Sequence, residues 1–431
     1  MKVALALSIC CSVVLVAAQD SGTLTPKTLQ AALAAKPDGA AANALADQIK
    51  AYFGGTEALM KGAAPKIDEL TVAWALQAQL APNVTPRVVA DVGFLNLPLA
   101  RVGTTDVYAA AATLAHGTAL SWHYELSGPT HRLGGSQLEV YETHADSRER
   151  PGVPKGTVRQ MPPWESRIFA GTKRDWWVYV PAQYAPEKPA AVMIFQDGAG
   201  PRDFVPTVFD NLIAKHDMPV TVGIFIQPGV FADGRANRSF EYDTLSDQYA
   251  RFLLEEILPE VEKTVKLRHD PASRAISGSS SGGICAFTAA WEHPDQFSKV
   301  LSWVGSFTNI AAGKTLKEGG HNYEAMVRKT FPRKPIRVFL QDGRNDNRGV
   351  GRGGGYDQRR DWFYQNVRLM QALTDKGYDV NYTWGINTHG QRMGGPILPE
   401  MMRWLWRDHP VSTDVNDTVE RNFNAPKKTP K

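Results

Sequence analysis

The chain has 431 residues, 43% hydrophobic and 10% aromatic, so it is long enough to form two folded units with cores of their own. Its formal net charge is +4, from 48 Lys and Arg against 44 Asp and Glu. This mild excess is not concentrated in a basic patch, and the lysines near the C-terminus stand among prolines, which is typical of a solvated tail. These values exclude a disordered protein and a strongly basic nucleic-acid-binding protein.

The first 18 residues have the composition of a cleavable signal peptide. Met1 and Lys2 give a positive start, Val3–Val16 is an almost unbroken apolar run, and small residues precede Gln19. The run is too short to span a membrane, and no later segment is long and apolar enough to do so. We therefore expect a secreted or periplasmic protein without a membrane span, whose mature chain keeps Cys285 as its single cysteine.

Changes of composition and periodicity divide the rest of the chain. Ala-rich stretches between Thr25 and Gly54 predict two short helices, and from Ile67 apolar residues recur with period two, as in a β-sandwich. Ser147–Lys155 is charged and proline-bearing, as in a linker, and beyond it apolar strands alternate with helices. The predicted segments are a signal peptide (1–18), a helical lead-in (19–66), a β-sandwich domain (67–145), a linker (146–160), an α/β catalytic domain (161–412) and a disordered tail (413–431).

The part after the linker has the pattern of an α/β fold with a mostly parallel sheet. Short apolar segments separated by helical ones predict strands that are covered on both faces. The predicted strands are Trp176–Val180, Ala191–Phe195, Val220–Ile226, Ala275–Ser277, Val300–Val304, Ile336–Leu340 and Val380–Trp384.

A G-x-S-x-G motif places Ser280 at a nucleophile position. The motif runs from Gly278 to Gly282, follows a short apolar strand and opens a helix that ends at Pro294. A serine on a sharp strand-to-helix turn has a strained backbone, and small neighbours let the strand and the helix approach each other. The alternative is a Gly-Ser turn without chemistry, but the strand-to-helix context favours a nucleophile.

A serine nucleophile requires a general base, and His389 is the best candidate. It follows the last predicted strand directly, where a loop brings the base to the serine in this arrangement. His321, in an earlier loop, is its one serious rival. The acid is expected between Ser280 and His389 in the chain, and Asp342 and Asp346 come just after the predicted strand Ile336–Leu340. We prefer Asp346, because a loop can carry it to His389, and Asp342 is the alternative.

The negative charge that develops on the substrate oxygen requires two backbone N–H donors. We expect one from Ser281, directly after the nucleophile, and the other from Ala199, in the glycine-containing turn after Ala191–Phe195. The sequence contains no spacing of histidines and cysteines that is typical of a metal site, and this chemistry needs no cofactor.

Together these residues resemble the enterochelin esterase and "putative esterase" family, which also includes feruloyl esterases and mycolyltransferases. The resemblance covers roughly Ile67–Pro410 and rests on a turn, a polar segment, a helix, the serine motif and the histidine. They are Gln196-Asp197-Gly198, Arg238-Ser239-Phe240-Glu241-Tyr242, Phe252–Glu262 with Leu258-Pro259, Gly278–Gly283 and His389. It implies an α/β-hydrolase fold, an oxyanion amide at Ala199 and an N-terminal sandwich of early-set immunoglobulin type. It also implies that Arg238 and Glu241 brace the loops of the active site.

The resemblance implies a serine esterase that acts on a small-molecule or polysaccharide ester, and the predicted signal peptide indicates that it is secreted. Feruloyl or acetyl esters of carbohydrates and siderophore-type lactones are the candidate substrates, with Arg238 and Arg202 as candidate substrate-binding residues. Two alternatives stay open: an acyltransferase that uses the same acyl-enzyme, and a carbohydrate-binding protein with an inert hydrolase domain. The sequence predicts no nucleic-acid partner and leaves the oligomeric state open.

Overall fold

The structure of the protein is a computed structural model that describes residues 23–90, 95–308, 322–350, 354–390 and 393–408. The predicted signal peptide, the predicted tail (413–431) and the rival base His321 lie outside the described residues. The chain divides into two compact units, residues 1–113 with 122–136, and residues 114–121 with 137–431.

The first unit begins with three helices where the sequence predicted two. Thr25 caps the first helix with a capping box, Asp38 caps the second, and Gly54 ends the second with a positive φ of 95°. The turn at Gly54-Gly55 then starts a third short helix. The helices are α1 (Pro26–Ala34), α2 (Gly39–Phe53) and α3 (Thr56–Met60).

Eight strands follow the helices and form two four-stranded sheets, with orders β1-β2-β6-β5 and β4-β3-β7-β8. Neighbouring strands such as β2 and β6, or β3 and β7, pair antiparallel. The strands are β1 (Lys66–Asp68), β2 (Thr71–Gln77), β3 (Arg87–Ala90), β4 (Asn96–Pro98), β5 (Ala100–Arg101), β6 (Val107–Thr113), β7 (Thr118–Glu125) and β8 (Arg132–Val140).

Strand β2 is buried on both faces, although the sequence indicated one buried face. Its alternate residues Val72, Trp74 and Leu76 are fully buried, as predicted from the period of two. The intervening Ala73 and Ala75 are buried as well, because they pack in one cluster with residues of α1 and α2. Small side chains on that face leave room for the helices.

The second unit is built on an eight-stranded sheet with the order β19-β18-β17-β16-β13-β14-β12-β9. The six strands from β19 to β14 in this order run parallel, and at the other edge β12 pairs antiparallel with both β14 and β9. This is the α/β-hydrolase arrangement that was expected. The strands are β9 (Thr157–Gln160), β12 (Trp176–Val180), β13 (Ala191–Gln196), β14 (Thr221–Ile226), β16 (Arg274–Ser279), β17 (Lys299–Trp303), β18 (Arg337–Gly343) and β19 (Asp379–Gly385). A small three-stranded sheet joins β10 (Trp164–Glu165), β11 (Thr172–Arg174) and β15 (Val230–Phe231).

Helices cover both faces of this sheet. Alternate strand residues such as Ile194 and Met193 belong to different core clusters, one packed with α8 and α10 and the other with α4 and α11. No helix of the described residues is long and apolar enough to cross a membrane. The helices are α4 (Val205–Ala214), α5 (Arg238–Asp243), α6 (Gln248–Phe252), a π-helical turn (Leu253–Ile257), α7 (Leu258–Glu262), α8 (Ser281–Glu292), α9 (Tyr323–Lys329), α10 (Trp362–Asp375) and α11 (Gly394–Trp406).

The structure differs from the predicted linker, 146–160, at its C-terminal end. Residues Thr157–Gln160 form β9, which pairs with β12 as the edge strand of the large sheet. All four residues of β9 are exposed, so the strand has no apolar face that the sequence could have revealed. The predicted boundary between linker and catalytic domain therefore falls a few residues too late.

The carboxyl ends of β16, β18 and β19 lie along the same edge of the parallel sheet. Their register pairs Ser279 with Trp303, and Gly343 with Gly385. Side chains in the loops that follow these strands can therefore meet above the sheet, which is the usual place for a site in an open α/β fold.

Candidate active site

Ser280 lies at a strained turn between β16 and α8. Its backbone has φ 58° and ψ −124°, a conformation that a side chain-bearing residue adopts only when the surroundings impose it. Gly278 of the motif and Gly283, directly after it, make this turn sterically possible. A Cβ at Gly278 would lie 2.3 Å from the Gly282 carbonyl oxygen, and one at Gly283 would lie 2.4 Å from Ser302 Oγ. The sequence motif therefore corresponds to a physical requirement for glycine.

The structure brings Ser280, His389 and Asp346 together in one hydrogen-bonded line. Ser280 Oγ lies 2.8 Å from His389 Nε2, and His389 Nδ1 lies 2.7 Å from Asp346 Oδ1. A carboxylate only accepts hydrogen bonds, so Nδ1 carries the ring proton and Nε2 is free to accept the proton of Ser280. This is the arrangement that activates a serine hydroxyl as a nucleophile.

The alternative acid, Asp342, lies beneath Asp346 and has different partners. It is fully buried, its Oδ1 accepts the N–H of Gly343 at 2.7 Å, and its Oδ2 accepts from Asn366 Nδ2 at 2.7 Å. Burial, together with the neighbouring charge of Asp346, raises the pKa of Asp342 well above its usual range. Burial thus favours the neutral form of Asp342, while Asp346 contacts the histidine.

The two predicted oxyanion donors differ in their surroundings. Ser281 is the first residue of α8, so its N–H has no acceptor within the helix and is directed away from the helix end. The N–H of Ala199 instead donates to Gln227 Oε1, at 3.2 Å. Gly198 before it is held tightly against β14, where a Cβ would lie 2.3 Å from Ile226 N. The N–H of Ala199 can donate to an oxyanion only when the Gln227 side chain turns away from it.

Arg238 joins the turn of Ala199 to the turn of the nucleophile. Its guanidinium contacts both oxygens of Asp197, at 2.8 and 2.7 Å, and lies 3.4 Å from the Ser279 carbonyl oxygen. Asp197 itself has a positive φ of 53°. This bidentate pair neutralises the charge of Arg238 and holds two walls of the site together. These are the contacts of a residue that positions the two turns, and the part of Arg238 in substrate binding stays a prediction.

Glu241, on the same helix, forms a fully buried ion pair with Arg174. The guanidinium nitrogens lie 2.6 and 3.1 Å from the two carboxylate oxygens, and both side chains are fully buried. Glu241 also accepts from Gly229 N and Asn237 Nδ2. These contacts hold the loop before α5, as expected of a bracing residue.

Arg202, the other candidate substrate-binding residue, contacts neighbours in its own region. It lies over the Trp177 ring, 4.2 Å from the centroid, and forms a 3.1 Å ion pair with Asp203. These contacts do not bring it to Ser280.

Three residues at or beside this site were not predicted from the sequence. Ser306 contacts Ser280, Trp362 contacts Ser306, and Glu139 contacts Thr388, the residue before His389. Ser306 follows β17, the neighbour of β16, so the rule that parallel strands end at the same edge could have indicated it. Trp362 and Glu139 carry no such signal, because their contacts arise only from the tertiary fold.

Within the described residues, no group of three or more His, Cys, Asp or Glu side chains could hold a metal ion.

The second unit matches a known family model. Residues 167–396, just over half of the chain, match the family described as "Putative esterase". Among curated proteins, an uncharacterized protein of Bacillus subtilis, YbbA, is 24% identical over 225 residues, which are 48% of this chain and 81% of that protein. An iron(III) enterobactin esterase of Dickeya dadantii is 28% identical over 163 residues, 35% of this chain and 33% of that enzyme.

Solved structures resemble a larger part of the chain. The enterobactin esterase of Shigella flexneri superposes with a TM-score of 0.56 at 16% identity, over 80% of this chain and 97% of the other. The ferric enterobactin esterase of Salmonella typhimurium gives a TM-score of 0.55 at 18% identity, over 78% and 93%. At this identity the likeness shows the α/β-hydrolase fold. With the family match it leads to one conclusion: the chain belongs to the esterase family of carboxylic ester hydrolases.

Proposed function

We propose that the protein is a secreted serine esterase that uses Ser280 as nucleophile, His389 as general base and acid, and Asp346 as the residue that orients the histidine. The observation that carries this proposal is the pair of hydrogen bonds at 2.8 and 2.7 Å that link the three side chains. The strained backbone of Ser280 supports it, because such strain is usually kept where it serves a function.

The reaction proceeds in two halves. In acylation, Ser280 Oγ attacks the ester carbonyl carbon while His389 Nε2 takes its proton, and the tetrahedral intermediate expels the alcohol oxygen, which receives that proton. In deacylation, a water molecule gives a proton to His389 and attacks the acyl carbon. The electrons of the acyl bond then return to Ser280 Oγ, which recovers its proton from the histidine.

The negative oxygen of each tetrahedral intermediate binds the N–H groups of Ser281 and Ala199. Ser281 is at the N-terminus of α8, where the helix dipole favours negative charge. Ala199 becomes available when substrate displaces the side chain of Gln227 from its 3.2 Å hydrogen bond. The side chain of His389 is 30% exposed, so water has access to the base, as hydrolysis of the acyl-enzyme requires.

We favour carbohydrate esters over an anionic siderophore as the substrates. The charge of Arg238 is matched by Asp197, and Arg202 is paired with Asp203, so neither candidate offers an uncompensated cation to an anionic ligand. Export through the predicted signal peptide places the enzyme where feruloyl or acetyl esters of polysaccharides occur.

The test is hydrolysis of a panel of esters by the purified protein and its Ser280→Ala variant. The panel holds p-nitrophenyl acetate, methyl ferulate, acetylated xylan and a catecholate trilactone, and Ser121→Ala, at an exposed serine, is the matched control. We expect turnover by the wild type and the control, loss in Ser280→Ala, and preference for the feruloyl or acetyl esters. Turnover that persists in a folded Ser280→Ala variant contradicts the proposal, and product analysis with a sugar acceptor detects acyl transfer.

A further inference from the structure

A second serine contacts the proposed nucleophile. Ser306 Oγ lies 3.0 Å from Ser280 Oγ, and the N–H of Ser306 donates to the carbonyl oxygen of Ser280 at 3.0 Å. Ser306 is fully buried, so its hydroxyl must find its partners within the protein. The indole nitrogen of Trp362 is one of them, at 3.0 Å from Ser306 Oγ.

Elementary chemistry gives each of these hydrogen bonds a direction. An indole N–H can only donate, so Ser306 Oγ accepts from Trp362. Ser280 donates its own proton to His389 Nε2, because the other ring nitrogen donates to Asp346. The Ser306 hydroxyl then has Ser280 Oγ as its acceptor, and a buried hydroxyl left without an acceptor costs free energy. One ordered chain results, from Trp362 through Ser306 and Ser280 to His389 and Asp346.

We propose that Ser306 is a further catalytic residue that donates a hydrogen bond to the nucleophile oxygen, and that Trp362 is a positioning residue that sets the direction of this bond. The inference rests on the proposed function of Ser280. As the proton of Ser280 moves to His389, negative charge grows on Oγ and the hydrogen bond from Ser306 becomes charge-assisted and stronger. In deacylation the same donor stabilises Oγ as the acyl bond breaks and its electrons return to that oxygen.

Trp362 prevents the opposite orientation. Without the indole donor, Ser306 Oγ could accept the proton of Ser280 and draw it away from His389. The position of Trp362 is fixed from two sides. Its backbone N–H donates to the carbonyl oxygen of Asn347 at 3.1 Å, next to Asp346. Its ring meets that of His389 edge to face, with 5.8 Å between the centroids. Its location is thus coupled to both the acid and the base.

The experiment compares Ser306→Ala, Trp362→Phe and the double variant in the full chain, with Trp164→Phe as the matched control. Trp164 also donates an indole hydrogen bond, at 2.8 Å, but to Glu256. The readouts are kcat and KM for p-nitrophenyl acetate, the rate of labelling by a fluorophosphonate, and thermal unfolding to establish folding. We expect Ser306→Ala to lower kcat and the labelling rate about tenfold, with KM within about twofold. Trp362→Phe lowers kcat about threefold, and the control leaves it unchanged.

The double variant tests whether Trp362 acts through Ser306. If it does, adding Trp362→Phe to Ser306→Ala costs no further activity, whereas multiplied losses overturn the role of Trp362.

Ser306→Cys keeps a weak donor in similar volume, so its rate lies between those of wild type and Ser306→Ala, and it serves if the alanine variant does not fold. A folded Ser306→Ala or Ser306→Cys variant with wild-type kcat overturns the inference. If Ser280→Ala is inactive in the same experiment, the proposed function of Ser280 is kept and only the role of Ser306 is rejected.

Discussion

Glu139 accepts hydrogen bonds from both the backbone N–H and the hydroxyl of Thr388, the residue directly before His389. The N–H lies 2.6 Å from Glu139 Oε1, and the other carboxylate oxygen accepts from Tyr141 Oη at 3.2 Å. Glu139 is only 4% exposed, so this carboxylate is nearly closed to solvent. The loop that carries the proposed base is therefore anchored one residue before it.

Replacing Glu139 should lower the rate of catalysis more than it affects substrate binding. Glu139→Ala leaves two donors of Thr388 unpaired and frees the backbone before His389, and we expect kcat to fall about tenfold, equivalent to about 1.4 kcal/mol. Glu139→Gln keeps one acceptor and should lose less. Steady-state kinetics with p-nitrophenyl acetate measure the effect, and Glu142→Ala, at an exposed neighbour, is the control. An unchanged kcat in Glu139→Ala would show that the loop keeps its position without this anchor.

The two aspartates after β18 should respond differently to the same substitution. Asp346→Asn removes the carboxylate that holds His389 in the required tautomer, so kcat should fall about a thousandfold or more. Asp342→Asn replaces a neutral buried carboxyl by an amide of similar shape and should cost far less activity. Parallel kinetics of the two variants decide which aspartate is the acid. Greater loss in Asp342→Asn would reverse the assignment.

Asp342 should also make the stability of the protein depend on pH. Because burial raises the pKa of Asp342, the native state keeps a proton that the unfolded chain releases above about pH 4. The stabilisation is complete below that pH and is lost as the pH rises toward the raised pKa. Asp342→Asn does not titrate, so its stability relative to wild type should rise from pH 5 to pH 8. Urea unfolding at both pH values measures this change, and a constant difference would contradict it.

The parts of the fold that could be predicted are those where burial leaves a pattern in the sequence. The buried strands of the covered sheet are continuous apolar runs. The parallel strand β13 was therefore predicted to within one residue, and the antiparallel but equally apolar β12 was predicted with its observed bounds. The serine motif then led to Ser280, and the positions of loops after strands led to His389 and to Asp346, with Asp342 as the alternative acid. Contacts that depend on the packed structure left no such pattern. Trp362 begins a helix far from Ser306 in the chain, and the exposed edge strand β9 has no apolar face.

Asp243, whose side chain contacts that of Ser281 beside the nucleophile, should be a second group that makes the stability of the protein depend on pH. The pKa of Asp243 is raised to about 6, and burial is the largest cause of this shift. A hydrogen bond with the Ser281 side chain and the charge of Arg238 act in the opposite direction. Its stabilising effect is present below about pH 4, where the unfolded chain is also protonated, and is lost as the pH rises through about 6. The loss amounts to about 3 kcal/mol.

The measurement for Asp243 is urea unfolding of the wild type and Asp243→Asn at several values between pH 4 and pH 7. The difference between the two proteins isolates this group from others that titrate in the same range. We expect the wild type to lose stability relative to the variant mainly between pH 4 and pH 6. Parallel stability curves would mean that the carboxyl of Asp243 has the same pKa in the native and the unfolded states.

The buried pair of Arg174 and Glu241 should contribute far more to folding than the exposed ion pairs of the same region. Arg174→Met leaves the carboxylate of Glu241 buried without its cation and removes the guanidinium that lies 4.4 Å from the Phe252 ring centroid. We expect the free energy of unfolding to fall by about 3–5 kcal/mol. The control is Glu255→Ala, which breaks an exposed pair with Arg251 and should cost less than about 0.5 kcal/mol. Denaturant unfolding of both variants gives the comparison. Similar losses would mean that Gly229 and Asn237, which also donate to Glu241, hold the loop before α5 without the arginine.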